Sequence, residues 1–148
     1  MPHVDALPAL AEMIDSVERD EFARRFEEQC QFITGQLMPH IDAIERTLYP
    51  ELERLMDTRH SMQPMRDEHA QLRRLFASLC RYRATVGAEA LDQASYIGLR
   101  RVLYRLFTLM KVHLAEEELY LRVIERGVSA DERDALARGI DHASAEPI

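Results

Sequence analysis

Phe22, Phe26, Cys30, Ile33, Leu37, Ile41, Ile44, Leu48, Leu52 and Leu55 follow one another at steps of three and four residues. A run this long lays one apolar stripe along a helix from Val17 to about Met56, and no strand period fits it. Gly35, Pro39 and Pro50 interrupt the stretch. Each proline removes a backbone donor and crowds the preceding turn, so the sequence predicts a kink at residues 35–39 and a bend or an end near residue 50. The same step returns from Met65 to Val86, closed by Gly87, and from Leu91 to Arg126, closed by Gly127. A short C-terminal helix starts at the capping-box pattern Ser129-Ala-Asp-Glu132 and runs to about Gly139. A brief first helix spans Ala6 to Val17, with Pro8 in its first turn.

These elements make the chain all-α. Long amphipathic helices on short connectors bury their stripes against one another as a bundle. In this reading residues 1–140 form one domain with a long kinked second helix, and residues 141–148 are a flexible tail. Five glycines, six prolines, no tryptophan and 7% aromatic residues argue against a turn-rich β-sandwich or barrel. The first helix, at roughly 12 residues, reaches only about 18 Å, against about 33 Å for the helix ending at Val86. A second copy of the chain, making a homodimer, is expected to cover the gap.

An excess of 26 acidic over 19 basic residues gives a formal charge of −7, which excludes a non-specific grip on nucleic-acid phosphates or an anionic membrane. Two cysteines, no leader and no apolar run long enough to span a bilayer point to a cytoplasmic protein. Cys30 and Cys80 read as small core residues. His60 and His142 fall in the expected loop and tail.

The remaining histidines interrupt the stripes. His40 stands three after Leu37 and four before Ile44, His69 four after Met65 and three before Leu72, and His113 three after Met110. Glu45 lies four after Ile41, and Glu117 four after His113. A single histidine on an apolar face is ordinarily a satisfied core residue. Three of them on three separate helices, two followed by a carboxylate one turn on, are a different matter. A buried ionised glutamate needs a partner, and no Lys or Arg shares the stripe near Glu45 or Glu117. A metal ion answers the problem for all five residues together, and imidazole with carboxylate suits iron, manganese or zinc. Tyr49 and Tyr120, a turn beyond these segments, read first as core packing, with a redox or supporting role beside the metal as the alternative.

The stretch His40-Ile-Asp-Ala-Ile-Glu-Arg-Thr-Leu-Tyr-Pro50 resembles the second-helix signature of hemerythrin-like, HHE cation-binding domains. Met65-Arg-Asp-Glu-His69-Ala-Gln-Leu-Arg-Arg-Leu75 and His113-Leu-Ala-Glu-Glu-Glu118-Leu-Tyr resemble the third and fourth. The resemblance implies a four-helix up-down bundle holding a non-haem di-iron centre, with histidines as terminal ligands and carboxylates as bridges. It departs from the family at three places. Ile44 stands where a glutamate is usual and Glu45 follows it; Glu118 competes with Glu117 for the place beside His113; Arg73 replaces a second ligand four after His69. His3 is the candidate first-helix histidine. Open metal positions would fall to a small oxidant such as O2, peroxide or nitric oxide, which makes binding, sensing or reaction with one of these the expected function. The rival expectations are a metal-free bundle that serves as an interaction module, and a single-metal site, zinc for example, on His40, His69, His113 and one glutamate.

Overall fold

The computed structural model describes residues 2–16, 18–58, 61–87 and 92–145. Val17, His60, Leu91 and residues 146–148 of the expected tail lie outside the described residues. Among the described residues every regular element is helical: α1 (Pro2–Met13), α2 (Arg19–Phe32), a π-helical segment (Ile33–Leu37), α3 (Met38–Leu55), α4 (Gln63–Gly87), α5 (Gln93–Gly127) and α6 (Ala130–Ala145). None of these helices is long and apolar enough to cross a membrane.

The kink predicted at 35–39 takes the form of the π-helical turn at 33–37. Pro39 has no N–H for the Gly35 carbonyl and its ring crowds that group, so the chain widens by one residue instead of breaking. Pro50 does not end α3, which continues to Leu55. Leu48, Tyr49 and Leu52 are buried around it, and at roughly 1.5–3 kcal/mol per buried side chain they outweigh the ~3 kcal/mol cost of an interior proline. The helix then stops in a Schellman turn, in which the Thr58 N–H reaches the Glu53 carbonyl at 3.2 Å and the Asp57 N–H the Arg54 carbonyl at 3.3 Å. Asp57 takes the left-handed position, with φ 52°.

Helices α1 and α6 differ from the sequence reading. α1 begins at Pro2, not Ala6, because Val4, Leu7, Leu10 and Ala11 already form a buried face and Pro8 is carried inside the helix, and it ends at Met13, short of the expected Val17. α6 runs on to Ala145, into the stretch expected to be a tail. Arg46 donates to the Ala143 carbonyl at 3.1 Å, the Ser144 hydroxyl to the Ile140 carbonyl at 2.7 Å, and Ile140 packs on the α3 core. At the other end of α6 the predicted capping box is formed: the Ser129 N–H donates to Glu132 at 2.8 Å and the Glu132 N–H to the Ser129 hydroxyl at 3.3 Å.

The sequence reading takes 1–140 as one domain; contacts within the chain group its residues into two compact units. The first comprises residues 1–33 and 71–111. Its interior is apolar, built on Phe22, Phe26, Cys30, Phe76, Leu79, Leu99 and Leu103. Its charges pair near the surface, Arg83 with Glu27, Arg100 with Asp15 at 2.8 Å and Lys111 with Asp5 at 3.2 Å. The second unit comprises residues 34–70 and 112–148. Ile44, Leu48, Tyr49, Leu52, Met62, Met65 and Ile124 form its apolar cluster, with Leu136 and Ile140 of α6 packed on it.

Candidate metal centre

The second unit carries the buried histidines. His69 on α4 and His113 on α5 are 0% and 3% exposed, each held on the inner face of its helix by the apolar neighbours that flank it. Their rings lie 4.6 Å apart at 56°, and their Nε2 atoms face each other at 3.0 Å. Behind each ring stands a carboxylate. Glu45 Oε1 is 2.7 Å from His69 Nδ1, and Glu68 Oε2 is 3.0 Å from His113 Nδ1. The Tyr49 hydroxyl lies 3.2 Å from His69 Nε2, and the two rings stack with centroids 5.4 Å apart.

Hydrogen-bond bookkeeping gives this arrangement its meaning. An ionised carboxylate only accepts, so with both glutamates ionised each Nδ1 carries a proton and donates it. Two neutral imidazoles in that tautomer turn their Nε2 lone pairs toward one another. The Tyr49 hydroxyl supplies one donor; the second lone pair still faces the first across 3.0 Å. A positive charge at that point, a proton or a metal ion, resolves the conflict. The spacing suits either. With metal–nitrogen bonds of about 2.0–2.1 Å, two nitrogens on one ion stand roughly 2.9–3.4 Å apart, and histidine ligands commonly donate their other N–H to a carboxylate.

The surroundings are acidic. Burial pushes the Tyr49 hydroxyl up, and the negative charges of Glu117, Glu45 and Glu68 add to the effect, while Arg66 opposes it. The phenol therefore keeps its proton. Glu116 is raised by burial first, then by the charge of Glu68, to which it hydrogen-bonds; two carboxyl groups bond in this way only when one holds a proton. Arg66 stands at the rim as a cation. Its guanidinium lies 5.4 Å from the Tyr49 ring centre and pairs with Glu53 at 2.5 Å.

Of the five expected ligands, the structure gathers three: His69, His113 and Glu45, the last behind an imidazole and not beside Nε2. Glu117 is half-buried and reaches the cluster through its charge on Tyr49. His40 is half-buried, and among the described residues it makes no hydrogen bond with the pair. At about 100° per residue it lies on the opposite edge of the α3 stripe from Glu45 and Tyr49. Glu118 is exposed and paired with Arg122 at 2.9 Å. His3 stacks on Phe32, with centroids 4.0 Å apart and the planes 9° from parallel. One member, Glu68, escaped the sequence reading: adjacent to His69, it is off the apolar stripe, and its partner comes from another helix. Tyr49, read first as core packing, takes the alternative place beside the imidazoles. Among the described residues no three His, Cys, Asp or Glu side chains are already gathered round one point as a metal cage. The donor chemistry nonetheless fits a cation: two imidazole nitrogens converge, with Glu45 and Glu68 behind the rings.

The model of the hemerythrin HHE cation-binding domain matches residues 3–124, a span that contains every member of this network. Neither a curated protein nor a solved structure matches the chain. A family match over most of the sequence, together with an all-helical fold, places this chain in the hemerythrin HHE cation-binding domain family.

Proposed function

We propose that the chain binds iron at the His69–His113 pair, two ions in the fullest form, and that the centre senses or reacts with a small oxidant: O2, peroxide or nitric oxide. The observation that carries the reading is the pair of opposed Nε2 atoms at 3.0 Å, each ring fixed from behind by a glutamate. His69 and His113 are the nitrogen donors; Glu45 and Glu68 hold their tautomers and make them more basic. Glu117 is the carboxylate available as a further donor, and His40 extends the set if the α3 edge that carries it turns inward. Tyr49 keeps its hydroxyl proton and holds the His69 Nε2 lone pair while no cation is present, and it must release that lone pair for a metal to bind there. The metal, when bound, supplies Lewis acidity and, as iron or manganese, a redox couple.

Metal analysis of protein purified without a nickel column tests this directly. Iron is expected, together with an absorption band that appears on adding oxygen or peroxide. A preparation free of iron, manganese and zinc overturns the reading in favour of a metal-free interaction module. A single ion, zinc included, is the second reading, favoured because two imidazoles converge on one point while both carboxylates turn to Nδ1. Stoichiometry near one ion per chain selects it.

A further inference from the structure

Two thiols lie in the apolar unit of residues 1–33 and 71–111, outside the metal centre: Cys30 on α2 and Cys80 on α4. They hydrogen-bond to one another. An ion pair one turn away explains why they meet. Arg83 Nε donates to Glu27 at 2.9 Å, and three residues forward on α2 with three back on α4 bring Cys30 opposite Cys80. Two contacts in that order require the helices to run antiparallel here, so the meeting of the sulfurs is built into their register. The two thiols have unlike surroundings. Cys30 is 0% exposed, and burial, followed by the charge of Cys80, keeps its proton on. Cys80 is half-buried and open to a small solute. The Arg83 guanidinium, whose charge Glu27 partly takes up, is near enough to act on both sulfurs.

We propose that Cys30 and Cys80 are a redox pair: peroxide oxidises Cys80, and Cys30 then closes a disulfide between α2 and α4. In the first step the Cys80 sulfur attacks one peroxide oxygen. An S–O bond forms, the O–O bond breaks, two electrons pass from sulfur to peroxide, and the other oxygen leaves as water with the thiol proton. Cys80 is then a sulfenic acid, which condenses with a neighbouring thiol. In the second step the Cys30 sulfur attacks that of Cys80. The S–S bond forms, the S–O bond breaks, and the hydroxyl leaves as a second water with the Cys30 proton. A reachable cysteine backed by a buried one suits this order, because the buried thiol meets the oxidised sulfur and not the oxidant. An S–S bond is about 2.05 Å long, so sulfurs already in hydrogen-bond contact need only a short approach. The link ties α2 to α4 across a loop of about fifty residues. No metal takes part, so the pair reacts whether or not the histidine centre is filled.

The test is to treat the full chain, kept in a chelator, with hydrogen peroxide, and then to denature, alkylate and map it by mass spectrometry. The wild type is expected to lose both alkylation sites together and to yield a peptide pair joined through Cys30 and Cys80, which dithiothreitol separates. Cys30→Ala should stop at a sulfenic acid on Cys80, trapped by dimedone. Cys80→Ala should leave Cys30 a thiol that oxidises at least ~10-fold more slowly than Cys80 does in the wild type. The linked protein should melt about 5–15 °C above the thiol form. Four results would each overturn the proposal: a wild type that keeps both thiols, Cys80 driven to sulfinic acid beside an untouched Cys30, a disulfide found only between chains, or a linked form that melts below the thiol form.

Discussion

The two compact units use the same kinds of helix to different ends. In the unit of residues 1–33 and 71–111, Phe26, Cys30, Phe76, Leu79, Leu99 and Leu103 fill the interior, and the ion pairs stand near the surface. In the unit of residues 34–70 and 112–148, a comparable interior gives up part of its apolar volume to His69, His113 and the glutamates behind them. Surface pairs of the first kind are worth about 0–1 kcal/mol each. A buried polar network is worth more when satisfied and costs several kcal/mol when broken. The contrast teaches that α4 and α5 are packing elements over one part of their length and donors of chemistry over the other.

The largest effect expected is in the apolar unit. Phe76→Ala should cost about 3–5 kcal/mol of stability, with the same loss in thermal melts with and without added iron or zinc. A loss that depends on metal would break the distinction between the two regions. Next comes Glu68→Gln, which keeps the shape and removes the charge behind His113. It should weaken metal binding by about 10–100-fold, with little change in melting temperature. An unchanged affinity in a metal titration would reduce Glu68 to a packing group.

A third prediction uses pH. Burial, followed by the neighbouring Cys80, pushes the Cys30 thiol from 9.0 up to about 12. The folded state thus holds this proton more tightly than the unfolded chain. The stabilisation is complete below the ordinary thiol value and fades as pH climbs toward the raised one. Chemical denaturation between those values should show stability falling with pH, and Cys30→Ala should flatten the slope; an unaltered slope assigns the alkaline loss elsewhere. The smallest effect is at the α3 terminus. Asp57→Gly relieves a left-handed backbone position and should stabilise by up to ~1 kcal/mol, read from the denaturation midpoint. Destabilisation would mean that the aspartate side chain holds the turn.

Periodicity carried most of the fold. The stops at Gly87 and Gly127, the cap at Ser129 and Glu132, and the irregular turn before Pro39 follow from local backbone chemistry, which neighbouring residues decide. The ends that moved, at Pro2 and Ala145, depend on packing against distant segments: the α6 end is held by Arg46 on α3. At the site, the stripes identified His69 and His113 because a helix face is a property of one segment. Glu68 was illegible because its role is set by His113, on another helix. Tyr49 was legible only as an alternative, because a phenol on an apolar stripe packs in the same way whether or not its hydroxyl meets an imidazole. His40 reads as inward by its steps from Leu37 and Ile44, yet its edge of α3 faces away from Glu45, a distinction that step-counting alone does not draw.

The proposed cation site is the pair of opposed imidazoles. The most direct measurement is an anaerobic titration of metal-stripped protein with Fe(II), followed by calorimetry, on the wild type and on His113→Ala, with His40→Ala alongside. Saturable binding in the wild type, lost in His113→Ala and weakened less in His40→Ala, is the predicted result. Wild-type protein that takes up no metal, or His113→Ala protein that binds as the wild type does, would contradict it.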